Sequence, residues 1–262
     1  MAQQRKPFDK LFSQLQDIRD KDGKLLNTVL WSQKGNPSVL FEIENPVQQY
    51  CTDADLYCLF QDVLANIIKT LGEGYALQKQ DIFCKQEYHY EPEGEQEFLT
   101  ESYFDYFEGR EYTDIRTFLI VTQECAHNAF VKYDAKRWED FHVKVADILQ
   151  EKGIAHRKLS KSEIDEYLHR FMAFRFKQGP FPITIFKCSD ENLKIGDRTV
   201  KSFPLVDIDE INMPNFVRPF LSVNINGTYI ATDLFSFLTE IPYTDCVIYN
   251  QVIQIPAQRR LM

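Results

Sequence analysis

Apolar residues recur along this chain at two spacings, and the alternation between them lays out the elements. Over residues 52–71, Leu56, Phe60, Val63, Ile67 and Leu71 follow one another at steps of three and four, with Leu59, Leu64 and Ile68 alongside. That is the stripe of an amphipathic helix. Thr52 or Asp53 can cap its start, and Gly72 supplies the positive-φ stop. Residues 134–151 repeat the pattern with Trp138, Phe141, Val145 and Ile148. Ser160 opens another helix, with Glu163 at capping-box spacing and a stripe of Ile164, Tyr167, Leu168, Phe171 and Phe174. Gly179-Pro180 is its stop. Residues 95–108 read as a helix through Phe98, Tyr103 and Phe107. Residues 8–18 form a short amphipathic helix candidate, and residues 233–239 another, closed by Pro242.

The remaining pattern has a period of two or is continuously apolar, as strands require. Residues 28–33 and 38–44 form a hairpin around Lys34-Gly35-Asn36-Pro37. Residues 75–90 alternate loosely, as a long half-exposed strand. Residues 115–123 contain the run FLIV, short enough for a central strand. Gly196-Asp197 and Asn226-Gly227 mark two further hairpin turns, and residues 246–255 end the chain as a strand with one wet face. Strand pairs with interposed helices predict an α+β fold of mixed or antiparallel sheets with packed helices, in two lobes. Residues 1–27 are a polar leading segment, 28–130 the first lobe and 131–262 the second, a helix pair followed by hairpins. The break falls near 128–134. One continuous sheet is the alternative.

Composition narrows the class. The 262 residues are 44% hydrophobic and 26% charged, which describes a globular chain with ample length for a core. A net charge of -9 argues against a nucleic-acid binder that uses its whole surface, because phosphate contacts need clustered Lys and Arg. The charge is uneven. Residues 91–114 hold nine acids and one base, whereas 152–177 hold seven bases and three acids. Either this is a dipolar surface that orients docking, or it is two solvated helix faces. Six scattered cysteines without CxxC spacing read as reduced cytosolic thiols. No apolar run approaches the ~18 residues of a membrane span, so any membrane association is peripheral.

Motifs for chemistry are weak. No GxxxxGK[ST] phosphate loop occurs, and in Gly72-Glu73-Gly74 the acid repels phosphate, so the segment reads as a helix-to-strand turn. Cys84 with His89, and Cys125 with His127, could supply zinc ligands, but the spacing is not that of a structural zinc site. Buried thiols acting as small hydrophobes is the plainer account. Cys125 with His142 or His169 lacks any nucleophile signature. Glu97 and Glu101 share a helix face that is more simply solvated. The cluster Tyr103, Phe104, Tyr106, Phe107 and Tyr112 covers more than one helical stripe. It is either core or an exposed partner contact site, set beside the acidic run. No catalytic residue, cofactor or metal site is assigned.

Several segments together carry a resemblance: SVLFEIENPVQQY, LGEGYALQKQDIFC, FEGREYTDIRTFLIVTQE, MAFRFKQG, LKIGDRTVKSFPLV and FSFLTEIPYTDCVIYNQVIQIPAQ. In order and spacing they are similar to the N-terminal region of the TraG-type ATPases of conjugative transposons, within the type IV secretion and conjugation ATPase superfamily. The likeness spans nearly the whole chain from about Leu25. In that family such a region precedes a RecA-like motor, and this sequence stops at Met262 before any motor motif. The resemblance implies a non-catalytic docking and assembly module for conjugative DNA transfer. It further implies a place in the cytoplasm, peripheral at the inner face of the inner membrane. Its partners would be membrane-embedded secretion-channel subunits and other ATPase protomers, with no direct nucleic-acid binding. A small stand-alone hydrolase with a pocket between the lobes is one alternative. A single-stranded DNA binder using the basic 152–177 segment is the other.

Overall fold

The computed structural model describes residues 12–19, 22–23, 25–32, 35–44, 54–91, 94, 97–124, 135–177, 186–188, 193–195, 198–200 and 244–255. The Asn226-Gly227 turn and the 233–239 helix expected from the sequence lie outside them, as do Cys125 and His127. Among the described residues run β1 (Phe12–Arg19), β2 (Leu25–Ser32), β3 (Pro37–Ile43), α1 (Ala54–Leu71), β4 (Tyr75–Glu87), α2 (Phe98–Phe107) and β5 (Glu111–Gln123). They are followed by α3 (Ala135–Glu151), β6 (His156–Lys158), α4 (Lys161–Ala173), β7 (Phe186–Cys188), β8 (Leu193–Ile195), β9 (Arg198–Val200) and β10 (Cys246–Ile255). The fold is α+β. A seven-stranded sheet has the order β1-β2-β3-β5-β4-β10 with β6 on β3, and β7-β8-β9 form a second, antiparallel sheet.

The chain separates into two compact units. One comprises Met1–Asp81, Arg116–Glu166 and Tyr249–Met262, and the other Ile82–Ile115 and Tyr167–Ile248. They interleave along the sequence, in contrast to the single break expected near 128–134, because the chain leaves the first unit after Asp81 and returns to it at Arg116.

The core of the first unit is built by the helical stripe the sequence displays. Phe60, Val63, Leu64, Ile67 and Leu71 of α1 pack with Val145 and Leu149 of α3. Beneath them lie Val29, Val39, Phe41, Ile43, Tyr75, Leu77, Leu119 and Val121 of the sheet. Each large side chain buried there contributes about 1.5–3 kcal/mol. Leu30, Leu40, Phe118 and Ile120, the alternate positions of the same strands, are buried too, so both faces of the sheet are covered. That explains two departures from the sequence reading. Residues 8–18 were expected to be helical, yet Phe12–Arg19 is a strand paired to β2, with Leu15 opposite Leu30 and Ile18 opposite Asn27. The three-residue step from Leu15 to Ile18 mimics a helix face but sends the two side chains to opposite sides of a doubly covered sheet. For the same reason β4, expected to be half exposed, buries Lys79, Gln80 and Asp81. The Lys79 ammonium pairs with Asp81, which also accepts from Thr117 Oγ1 (2.8 Å). Desolvation pulls the Lys79 pKa down, only partly offset by the Asp81 charge.

Strand β3 is the most enclosed. It pairs with β5 along Ser38–Ile43, with β2 along Pro37–Val39, and with β6 along Phe41–Ile43. Since β5 holds one edge throughout, β6 must continue the edge that β2 vacates. The carboxylate of Glu42 is bracketed by Arg116 of β5 (2.8 Å) and Arg157 of β6.

The capping box forms as spelled. Ser160 N–H donates to Glu163 Oε2 (2.8 Å), and Glu163 N–H donates to Ser160 Oγ (3.4 Å). The helix it opens stops at Ala173, short of Gly179-Pro180. Phe174 takes a left-handed φ of 49°, and Arg175 N–H closes on Arg170 O at 3.0 Å. The left-handed turn lets Phe176 fold back against Tyr167, with its carbonyl accepting from Gln86 Nε2 (3.1 Å).

Candidate functional site

The aromatic helix α2 lies in the second unit, and what it packs on decides which of its side chains are free. It starts after Glu97, whose side chain makes no capping bond, and none of its residues is buried. Its C-terminal end is pinned to the strand ends beside it. Gly109, at φ 70°, donates its N–H to Tyr88 O (2.8 Å), and Tyr88 N–H donates to Arg110 O (2.9 Å). A positive φ there suits glycine alone at little cost. Glu108 completes the clamp by accepting from His89 Nδ1 (2.6 Å) and from the Tyr90 N–H (3.1 Å). The His89 hydrogen bond, then the Tyr90 amide, hold the Glu108 carboxyl below the usual carboxylate range.

Two of the four expected contact residues are used internally. Phe104 stacks on Tyr90 with ring centroids 3.5 Å apart, and Phe107 meets Tyr88 edge-on at 6.2 Å. The other two, Tyr103 and Tyr106, are each 60% exposed, and Phe98 and Leu99 are 77% and 78% exposed. At 100° per residue, Phe98, Tyr106, Leu99 and Tyr103 fall on one arc, while Phe104 and Phe107 turn to the strands. The cluster is thus half anchor and half open face. Arg110 lays its guanidinium over Tyr106 at 3.5 Å from the ring centre, fixing the ring at the end of the open arc. Glu101 and Asp105, both exposed, flank the arc. Tyr112 is 45% exposed, and burial, then Asp114, push its phenol pKa up.

No protein-family model matches the chain, and no curated protein matches it in sequence.

The other sequence candidates resolve individually. Gly72 and Gly74 both take positive φ (71° and 81°), and Gly72 N–H caps Ile68 O at 3.1 Å, so this segment is the helix-to-strand turn. Cys84 is buried, whereas His89 points to Glu108, so the two do not converge on one site. Among the described residues no three His, Cys, Asp or Glu side chains gather as metal ligands. His142 is buried on α3, with its pKa lowered to about 4 by burial and then by the Lys158 charge. Glu97 and Glu101 are both solvent-exposed. In the basic segment Arg157 is committed to Glu42 and Glu163, Lys158 to Leu26 O (3.0 Å) and Lys177 to Glu87 (2.7 Å). A depression of about 390 Å³ beside α1 is lined by Phe60, Asp62, Asn66, Lys69 and Lys152, with no nucleophile-and-base pair among its lining residues.

Sequence reasoning missed the residues that make the aromatic cluster a surface. Tyr88, Tyr90, His89 and Arg110 hold it in place, yet they carry no motif. Their role follows from the register that brings the end of β4 beside the turn after α2. Phe98 and Leu99 were legible as apolar residues at the head of a helix with too wide a stripe.

Proposed function

We propose that this chain is a non-catalytic docking and assembly module of a conjugation ATPase of the TraG type. Its contact surface is the open face of α2. The observation that carries this reading is a ten-residue helix with no buried side chain and an arc of Phe98, Leu99, Tyr103 and Tyr106 turned to solvent. Large aromatic side chains held rigidly at a surface are the residues that dominate protein interfaces. The acids along the flank favour a partner face with exposed Arg or Lys and select against like-charged surfaces. The resemblance of the sequence segments supplies the class of partner: secretion-channel subunits in the membrane, and other protomers of the ATPase. Among the described residues no helix is long and apolar enough to cross a membrane, which is compatible with a cytoplasmic module held peripherally at the inner membrane.

The test is a photo-crosslinking residue placed at Tyr106 in a conjugating host, with sedimentation of the purified chain alongside. The expected outcome is a crosslink to a channel subunit or to a second copy. Tyr103→Ala combined with Tyr106→Ala should weaken that association at least tenfold (about 1.4 kcal/mol). Because both side chains are exposed, stability should change by no more than about 0.5 kcal/mol. No crosslink to either class, with a monomer insensitive to both substitutions, overturns the proposal. So does magnesium-dependent ATP hydrolysis by the purified chain.

A further inference from the structure

Strands β4 and β10 are neighbours in the sheet, and their pairing brings together two cysteines far apart in sequence. Two contacts fix the direction. Gln78 Nε2 donates to Asn250 Oδ1 (2.7 Å), and the Lys85 N–H donates to Asp245 O (3.0 Å). Residue numbers rise along one strand as they fall along the other, so the pair is antiparallel. The backbone bond from Lys85 to Asp245 makes those two a hydrogen-bonded rung. Cys84 and Cys246 therefore occupy the next rung, of the other kind, where opposed Cα atoms stand about 4.5 Å apart with side chains on one face. That lies within the roughly 4.4–6.8 Å a disulfide requires. Both cysteines are free thiols, and each is hydrogen-bonded to the other. Cys84 is buried and Cys246 only partly so, so a reagent arriving from solvent meets Cys246 first. Arg198, paired with Asp245 at 3.0 Å, adds positive charge beside the sulfurs.

We propose that Cys84 and Cys246 are a reversible modification site that reacts with small-molecule disulfides and closes to a cross-strand disulfide. The two thiols share a proton. Their mutual hydrogen bond holds the Cys84 pKa below the ordinary thiol range and drives that of Cys246 up, so the pair gives up one proton readily and the second with difficulty. As Cys246 Sγ attacks one sulfur of the reagent, the shared proton stays on Cys84. One S–S bond breaks and one forms, leaving a mixed disulfide on Cys246 and a departing thiolate. Cys84 then passes its proton to that thiolate and attacks Cys246 Sγ, expelling the second small thiol. The protein pair is oxidised by two electrons and the small disulfide reduced by two.

The test equilibrates the native full chain with oxidised glutathione, quenches with acid, alkylates the remaining thiols and maps every cysteine peptide by mass spectrometry. Expected is a peptide linking Cys84 to Cys246, reversed by excess reduced glutathione. Cys84→Ser should stop at a glutathione adduct on Cys246. Both cysteines recovered as free thiols after equilibration overturns the proposal, as does a link that forms only in urea-unfolded protein. The wild-type measurement decides without the variant, so a Cys84→Ser chain that fails to fold leaves the outcome readable.

Discussion

His142 is the side chain through which mild acid reaches the fold. It sits on the buried face of α3, three residues before Val145 and seven before Leu149. Its imidazole titrates at about 4, against 6.5 for an unperturbed histidine, chiefly because burial penalises the charged ring. The unfolded chain therefore takes up this proton first as pH falls. The contribution of His142 is complete above about pH 6.5 and declines toward pH 4, by at most about 3 kcal/mol. His142→Gln is expected to flatten that part of the profile, measured by urea unfolding at pH 7, 5.5 and 4.5. An unchanged slope would assign the acid sensitivity to other groups. The sequence offered no sign of this role, since one histidine among polar neighbours on a helix looks solvated. Lys79 and Asp81 were equally silent. Opposite charges two apart on a strand read as a wet face until both sides of the sheet are known to be covered.

Elements were more legible than residues where local chemistry sets them. The Ser160–Glu163 box is spelled in the sequence and forms because each partner satisfies a backbone donor that the helix cannot. The Glu163 carboxyl is pulled down to about 2, first by the Ser160 amide and then by Arg157. Its support is thus present above the ordinary carboxylate range near 4.5 and fades as pH falls toward 2. Glu163 is well exposed, so solvent screening reduces this to about 1 kcal/mol. Glu163→Gln should cost about that at pH 7 and nothing near pH 2, a difference that thermal melts at the two pH values would detect. A cost independent of pH would mean that the charge is irrelevant to the cap. The end of this helix was not legible, because Phe174 turns left-handed to seat Phe176, and nothing local announces a tertiary contact. The width of the aromatic stripe on α2 was plain in the sequence, whereas the division into anchors and open face waited on the register of β4.

At the scale of the molecule, α+β could be read from the order of patterns, but unit boundaries could not, because return connections leave no compositional mark. Each piece of the first unit depends on partners distant in sequence: α1 packs on α3, and β3 is bordered by β5 and β6. A fragment covering 28–130 would leave Phe60, Val63 and Ile67 facing water where Val145 and Leu149 had been. Limited proteolysis is therefore expected to yield neither 28–130 nor 131–262 as a stable product. Isolation of either, folded by circular dichroism and cooperative in melting, would mean that the sequential lobes are independent after all. The three residues of β6 carry a further consequence. Without them the outer edge of β3 at Phe41–Ile43 would present unpaired amides and carbonyls between two bulky apolar side chains, a template on which further chains could add. Half a turn's length of backbone, His156–Lys158, thereby keeps the most hydrophobic strand from seeding fibrils, and the place to look for that protection is the solubility of chains in which this short segment has been loosened.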